Sequence, residues 1–195
     1  MNLNKRIFFT GVPGSKWSGI AQILEDNISY FNTSDRQANK NYSRADFSGH
    51  KGAYFGHGME YESRLDDSSY LDKPWDSPTG FRLIKSHEWA YVLEDIKDQY
   101  PNDWIMLIYR PDMTSYAWWH EAGGFKITYP NYSYYKDSST MLSHIVNQNK
   151  CLLKFANKHN AIWHHFNSAF VKKYFNVDIE EVDNRYEDCL VCLIK

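Results

Sequence analysis

The chain has 195 residues, of which 43% are hydrophobic and 17% aromatic, with a formal net charge of −2 and a sequence pI of about 6.4. This composition excludes a disordered chain, and the charge excludes the basic footprint of a nucleic-acid-binding protein. No apolar run approaches the roughly 20 residues that a membrane-spanning helix needs, and the apolar run at the amino terminus is too short for a signal peptide. We therefore predict one soluble, cytoplasmic domain over residues 1–195, with no membrane partner.

The first 30 residues predict a strand, a glycine turn and a helix. Lys5–Val12 is rich in Ile, Phe and Val, which is typical of a short buried strand. We expect Ser18 to cap the helix that follows. The apolar residues of this helix recur at helical spacing, and they are Ile20, Ile23, Leu24 and Ile28.

A long polar segment, residues 31–80, interrupts the regular pattern and closes at Pro74 and Pro78. A segment of this length without periodicity is uncommon in a compact domain unless it has a function. We therefore expect it to form part of a substrate site, with Tyr54 and His57 shaping the acceptor pocket. The spacing of its His and Glu residues matches no standard set of metal ligands, so we predict no metal site.

Strands and helices alternate over the rest of the chain. The further predicted strands are Phe81–Ser86, Trp104–Tyr109, Ala161–Phe166 and Cys189–Ile194, and the further predicted helices cover residues 88–100, 113–120, 139–159 and 168–174. This alternation indicates βαβ units. The predicted fold class is therefore α/β: a P-loop-like three-layer sandwich with a central, mostly parallel sheet of about four to five strands flanked by helices.

The chain has only three cysteines, at positions 151, 189 and 192. This count argues against a disulfide framework. Cys189 and Cys192 have the C-x-x-C spacing, but they lie in a predicted apolar strand, where positions three apart point to opposite faces. We predict that they are buried structural residues rather than a redox or metal pair.

Three predicted strand ends carry residues suited to an anionic ligand, and the first is the glycine turn Thr10–Gly19, T-G-V-P-G-S-K-W-S-G. Between a strand and a helix, backbone amides and the helix N-terminus favour an anion. Lys16 adds a charge, while Ser15 and Ser18 add hydroxyl donors. The turn is not a Walker A loop, because no glycine directly precedes the lysine. An ordinary turn that binds nothing is the alternative.

The other two strand ends carry Lys85-Ser86-His87 and Arg110. Parallel sheets bind ligands at the carboxyl ends of their strands. Taken alone, His87 has the alternative role of capping the next helix, and Arg110 that of pairing with Asp112. Adjacent residues of a helix cannot face the same way, so we expect one of Trp118 and Trp119 to line the acceptor pocket or an interface.

Together the three segments resemble the sulfotransferases that use 3′-phosphoadenosine 5′-phosphosulfate. The phosphate loop of that family has the form T-x-P-K-S-G-T, and Pro13 and Ser15 match it. Gly14 stands where the family has lysine, and Lys16 comes two residues later. Lys85-Ser86-His87 matches the family's K-T-H, and Tyr109–Trp119 matches its next strand end and helix. The resemblance covers roughly residues 5–120, and the family's carboxyl-terminal glycine-rich cofactor segment has no counterpart.

The resemblance implies transfer of a sulfuryl group from this cofactor to an acceptor hydroxyl or amine, without a metal. It implies that His87 is the catalytic base and that Lys16 and Lys85 stabilise the transferring group. Arg110 and Ser115 would hold the 3′-phosphate, with Thr114 as a stand-in for Ser115. The full set of implied cofactor-binding residues is Pro13, Gly14, Ser15, Lys16, Trp17, Ser18, Arg110 and Ser115.

We expect the acceptor to be a small molecule or a carbohydrate, bound by Tyr54, His57, Trp118 and Trp119. A homodimer, in which a second subunit completes the pocket, is an open alternative. Two other functions also remain open. One is a P-loop nucleotide or nucleoside kinase, which would use Lys16 on phosphates and require Mg²⁺. The other is a non-catalytic module that recognises carbohydrate or protein through its tyrosine-rich stretches, residues 54–61 and 129–135.

Overall fold

The structure is a computed structural model that describes residues 4–34, 71–72, 75, 77, 79–126 and 136–195. Its strands are β1 (Lys5–Gly11), β2 (Phe81–Lys85), β3 (Trp104–Tyr109), β4 (His164–His165) and β5 (Leu190–Ile194). Its α-helices, within the described residues, are α1 (Trp17–Asn27), α2 (Leu93–Gln99), α3 (Asp112–Glu121), α4 (Ser138–Lys158) and α5 (Ser168–Phe175).

The five strands form one open sheet in the order β2-β1-β3-β5-β4. β1 pairs in parallel with β2 and β3, whereas β5 runs antiparallel to both β3 and β4. The α/β prediction is confirmed, but the sheet is mixed rather than mostly parallel. The reason is that the chain after α5 enters β5 from the edge where β3 ends, so that Leu190 lies opposite Tyr109.

The core lies on both faces of this sheet. Alternation along β1 places Ile7 and Phe9 in one buried cluster, with residues of α1 and α5, and places Phe8 in a second cluster, with residues of α2 and α4. β3 divides in the same way between the clusters, which explains why its sequence is apolar throughout. Cys189 belongs to the first cluster and Cys192 to the second, and neither forms a disulfide. The prediction that these two cysteines are buried is confirmed.

Three elements depart from the predictions by more than a one- or two-residue shift of a boundary. Helix α1 begins at Trp17, with Lys16 at the cap position, so the predicted Ser18 cap is wrong. The predicted helix over residues 88–100 is divided at Val92 into a 3₁₀ turn, Glu88–Tyr91, and α2. The fourth strand contains only His164 and His165, which pair with β5 at the edge of the sheet.

The last part of the polar segment lies beside the amino ends of β1 and β2. Asp72 accepts hydrogen bonds from Arg6 at 2.7 Å and from Arg82 at 3.0 Å. The predicted phosphate loop is at the opposite, carboxyl edge of these strands. Tyr54 and His57, which we assigned to the acceptor pocket, lie outside the described residues. None of the helices in the described ranges combines the length and the apolar character needed to cross a membrane.

Candidate functional site

The loop between β1 and α1 is shaped by two left-handed residues, Gly14 (φ 79°) and Lys16 (φ 62°). The Ser15 amide donates to the Val12 carbonyl at 3.0 Å, which closes a tight turn. A Cβ at position 14 would lie 1.9 Å from the carbonyl oxygen of Ser115. Helix α3 therefore packs so closely on the loop that only glycine fits at this position. This contact explains why the chain has no lysine where the resembled loop carries one.

The start of α1 offers donors to an anion. Lys16 makes no side-chain capping bond, so the first-turn amide groups of α1 have no side-chain acceptor from the cap residue. The Ser15 hydroxyl is buried and has no hydrogen-bond partner among the described residues. Ser18 is half-buried in the first turn of α1. Amides and hydroxyls at the N-terminus of a helix favour negative charge.

His87 lies two residues after the end of β2 and contacts the loop through its ring. Its Nδ1 is hydrogen-bonded to the carbonyl oxygen of Gly11, and its ring lies against that of Trp17, with 4.2 Å between centroids. Its own carbonyl accepts from Gln148 Nε2 at 2.9 Å. Since a carbonyl can only accept, Nδ1 carries the proton, and the lone pair of the neutral ring lies on Nε2. The ring is therefore held in the tautomer that a general base requires.

Burial keeps His87 neutral. It lowers the pKa of His87 to about 4, and the hydrogen bond to the Gly11 carbonyl offsets only part of this effect. The neighbouring His144 on α4 has its pKa lowered to about 3, first by burial and then by His87. His87 is thus unprotonated at neutral pH, as a base must be before it takes a proton.

We predict that the fold loses stability through His87 as the pH falls from 6.5 to about 4. The unfolded chain takes up the proton at the ordinary pKa, whereas the folded chain resists it, so the stabilisation is complete above pH 6.5 and is lost toward pH 4. Converted at about 1.4 kcal/mol per pH unit, the loss is about 3 kcal/mol. His144 acts in the same direction.

The loss of stability due to His87 is measured by urea unfolding of wild type and His87→Asn at neutral pH and near pH 4.5. The variant should lose less of its free energy of unfolding on acidification than wild type does. His165→Asn, at an exposed histidine of β4, is the control and should behave like wild type. Equal losses in wild type and His87→Asn would contradict the prediction.

Lys85, the last residue of β2, is buried against α1. Its Nζ lies 3.1 Å from Glu25 Oε1, and the two side chains are 0% and 4% exposed. Its charge is therefore balanced by a carboxylate within the core that α1 covers. The structure gives Lys85 a structural ion pair at the position where the resemblance implies a role in sulfuryl transfer.

Arg110 follows β3 and joins the loop to the carboxyl-terminal part of the chain. Its Nε and Nη2 donate to Asp188 Oδ2 at 2.8 and 2.6 Å, and its Nη1 donates to the carbonyls of Gly14 and Thr114 at 3.0 and 3.2 Å. The acid that pairs with Arg110 is thus Asp188, whereas Asp112 accepts from an asparagine of α4. The buried hydroxyl of Ser115 donates to the Arg110 carbonyl at 3.2 Å.

The side chain of Lys16 lies on the Arg110 side of the loop. Its Nζ donates to the Arg185 carbonyl, lies 4.0 Å from Asp188 Oδ1, and is 4.7 Å from the ring centroid of Trp118. Burial, followed by the nearby charge of Arg110, lowers the pKa of Lys16. Lys16 and Arg110 therefore face the same carboxylate.

The paired tryptophans separate as helical geometry requires. Trp119 is buried in the second core cluster, with its ring 5.1 Å from that of Phe125. Trp118 is half-buried beneath Lys16. Trp118 is thus adjacent to the charged groups of the site, whereas Trp119 supports α3 from the core.

Sequence reasoning missed three residues that the structure places at the site: Glu25, Gln148 and Asp188. Glu25 and Gln148 lie within helices and match no motif. Asp188 could have been located if β5 had been expected to run antiparallel, because the amino end of β5 then meets the carboxyl end of β3. Nothing in its local sequence marks it.

Comparison of the chain with models of protein families, with curated proteins and with solved structures gave no match. The functional interpretation therefore depends on the three strand-end segments and on the geometry of the residues within them.

Proposed function

We propose that this protein is a cytoplasmic sulfotransferase that moves a sulfuryl group from 3′-phosphoadenosine 5′-phosphosulfate to an acceptor hydroxyl or amine. The observation that carries the proposal is that one loop contacts both other segments of the resemblance. The Gly11 carbonyl bonds the ring of His87, and the Gly14 carbonyl accepts from Arg110 at 3.0 Å. Segments 76 and 96 residues apart in sequence thus meet at one loop. This meeting supports, as part of the proposal, the P-loop-like, three-layer arrangement that the resemblance implies.

His87 supplies the base. Sulfuryl transfer, like phosphoryl transfer, requires an in-line arrangement and removal of the acceptor proton. With Nδ1 bonded to Gly11, the lone pair of Nε2 takes the proton of the acceptor as the acceptor's oxygen or nitrogen attacks sulfur. The bond between sulfur and the 5′-phosphate oxygen breaks, and 3′-phosphoadenosine 5′-phosphate leaves with that electron pair. The same hydrogen bond stabilises the imidazolium that forms, because Nδ1–H is a stronger donor to the Gly11 carbonyl when the ring is charged.

The anionic cofactor is held by the loop and by the two cations beside it. The first-turn amides of α1 and the hydroxyl of Ser15 receive the 5′-phosphosulfate. Arg110, with Lys16 next to it, receives the 3′-phosphate. The contacts of Lys16 favour this role over the direct contact with the transferring group that the resemblance implies.

Ligand choice tests the cofactor. The desulfated cofactor, 3′-phosphoadenosine 5′-phosphate, should raise the melting temperature without Mg²⁺, since a ligand at 100 times its dissociation constant adds about 2.7 kcal/mol. Adenosine 5′-phosphate, which lacks the 3′-phosphate, should bind more weakly. Stabilisation by ATP that requires Mg²⁺ would instead identify a kinase, and a failure of all nucleotides to bind would favour the non-catalytic module.

Turnover tests the reaction. The full cofactor is incubated with panels of phenols, sugars and amines, and the release of 3′-phosphoadenosine 5′-phosphate is measured. At least one acceptor should give catalytic turnover. Binding of the desulfated cofactor with no transfer to any panel member would restrict the protein to nucleotide binding.

A further inference from the structure

Asp188 occupies the position between the two cations of the site. One of its carboxylate oxygens accepts both hydrogen bonds from the guanidinium edge of Arg110, at 2.8 and 2.6 Å, and the other lies 4.0 Å from Lys16 Nζ. Arginine binds carboxylate and phosphate groups alike through paired N–H donors. The site that the proposed function assigns to a phosphate therefore already contains an anion of the chain itself.

The carboxylate is the accessible member of this group. The side chains of Arg110 and Lys16 are 6% and 9% exposed, whereas that of Asp188 is 34% exposed. Asp188 is therefore the member of this group that solvent reaches most readily. An anion that binds the Nε and Nη2 donors of Arg110 must replace Asp188 there.

The backbone around Asp188 is fixed, so the movement must be a rotation of its side chain. The Cys189 amide donates to the Tyr186 carbonyl at 2.9 Å, and the Cys189 carbonyl accepts from the Phe166 amide at 3.1 Å. Cys189 and Tyr186 are both buried in the first core cluster. The carboxylate is therefore tethered beside the cations, and its high effective concentration makes it a strong competitor for them.

We propose that Asp188 is an internal competitor that fills the Arg110–Lys16 site in the free protein and yields it to the phosphate of the ligand. The ligand of this site is a phosphate monoester. Only the identification of that phosphate as the 3′-phosphate of the cofactor rests on the proposed function. An anion that binds the two cations weakly then fills the site only at a correspondingly higher concentration. A competitor of this kind lowers the apparent affinity for every anion by one common factor, because only the fraction of molecules with Asp188 displaced can bind.

Isothermal titration of two probes tests the common factor. Methyl phosphate, largely a dianion at pH 8 because its second pKa is near 6, and dimethyl phosphate, a monoanion, are titrated into wild type and Asp188→Asn. We expect the variant to bind both probes about tenfold or more tightly, with the ratio of their affinities unchanged. Unchanged or weaker binding by a folded variant would overturn the proposal. A changed ratio would also overturn it, because Asp188 would then act on the bound ligand directly.

Asp183→Asn is the matched control. Asp183 lies in the same segment, its carboxylate is 57% exposed, and it pairs with Arg185 at 3.4 Å. Its removal changes the net charge by the same amount as Asp188→Asn. We expect its affinities to stay within about threefold of wild type. An equal gain in both variants would assign the effect to net charge and overturn the proposal.

A second measurement uses the wild-type protein, so that it decides the question even if Asp188→Asn does not fold. The Arg110 Nε–H signal is identified in nitrogen-15 spectra by its loss in Arg110→Lys. Saturating methyl phosphate should shift this signal, because the Arg110 Nε–H group then donates to the phosphate instead of to Asp188. A saturating probe that leaves the signal unmoved would overturn the proposal. Failure of the nucleotide to bind, with the methyl phosphate results as expected, would remove the proposed function and leave the competitor in place.

Discussion

Replacement of His87 by asparagine is expected to lower the turnover number about 10²- to 10⁴-fold, which is the usual contribution of a general base. The asparagine amide retains a donor for the Gly11 carbonyl, near the position that Nδ1 occupies in the wild type. It has no basic group in place of Nε2. The reaction therefore loses its proton acceptor, while the loop that holds the cofactor keeps its shape.

The dissociation constant of 3′-phosphoadenosine 5′-phosphate separates this role from a structural one. It should change by less than about threefold in His87→Asn, since the base acts on the acceptor and not on the phosphates. His87→Ala should also lose turnover, with a further loss of stability from the cavity beside Trp17. A turnover number within about threefold of wild type in His87→Asn would remove His87 from the mechanism.

Replacement of Lys85 by methionine is expected to lower the free energy of unfolding by about 3–5 kcal/mol, the usual cost of breaking a buried ion pair from one side. The reason is that the carboxylate of Glu25, 4% exposed, would stay in the core without the ammonium that lies 3.1 Å from it in the wild type. Urea unfolding followed by circular dichroism measures the loss. If the slope m of the free energy of unfolding against urea concentration is the same in both proteins, their unfolded states are comparable.

Two further variants complete this experiment. The double variant Lys85→Met/Glu25→Leu should recover much of the loss, because apolar side chains of similar size can replace a buried pair. Lys158→Met is the control, since Lys158 pairs with Glu94 at 2.9 Å on the surface, where the two side chains are 61% and 45% exposed. We expect that substitution to cost less than about 1 kcal/mol. If Lys85→Met were as stable as wild type and yet lost turnover, Lys85 would be a catalytic rather than a structural residue.

Local sequence patterns predicted the order of strands and helices well. β3 was predicted with the bounds that the structure has, and β1, β2, α3, α4 and α5 within one or two residues at each end. These elements have clear apolar periodicity, and their ends carry glycine, proline or polar residues. The start of α1 was misplaced, because its cap is a left-handed Lys16 rather than a serine with a capping side chain. A left-handed lysine is rare and leaves no sequence signal.

The sequence predicted only those parts of the candidate site that lie at the carboxyl ends of the parallel strands β1, β2 and β3. Gly11 is the last residue of β1, and His87 and Arg110 come just after β2 and β3. The structure shows that these three strands are parallel neighbours. The rule that such strand ends share one edge was therefore sufficient to bring these residues together. The rule could not predict which carboxylates pair with the cations of these segments. Glu25, the partner of Lys85, lies within α1, and Asp188, the partner of Arg110, lies just before β5.

The sequence by itself determined the alternation of strands and helices, the burial of Cys189 and Cys192, and the three strand-end segments, because each of these depends on residues close together in the chain. Tertiary structure decided the rest. The antiparallel entry of β5 put Asp188 against Arg110 and Lys16, the packing of α1 gave Lys85 its carboxylate, and the approach of Ser115 left room only for glycine at position 14. These partners come from distant parts of the chain, so they follow from strand order and strand direction, which local periodicity does not contain.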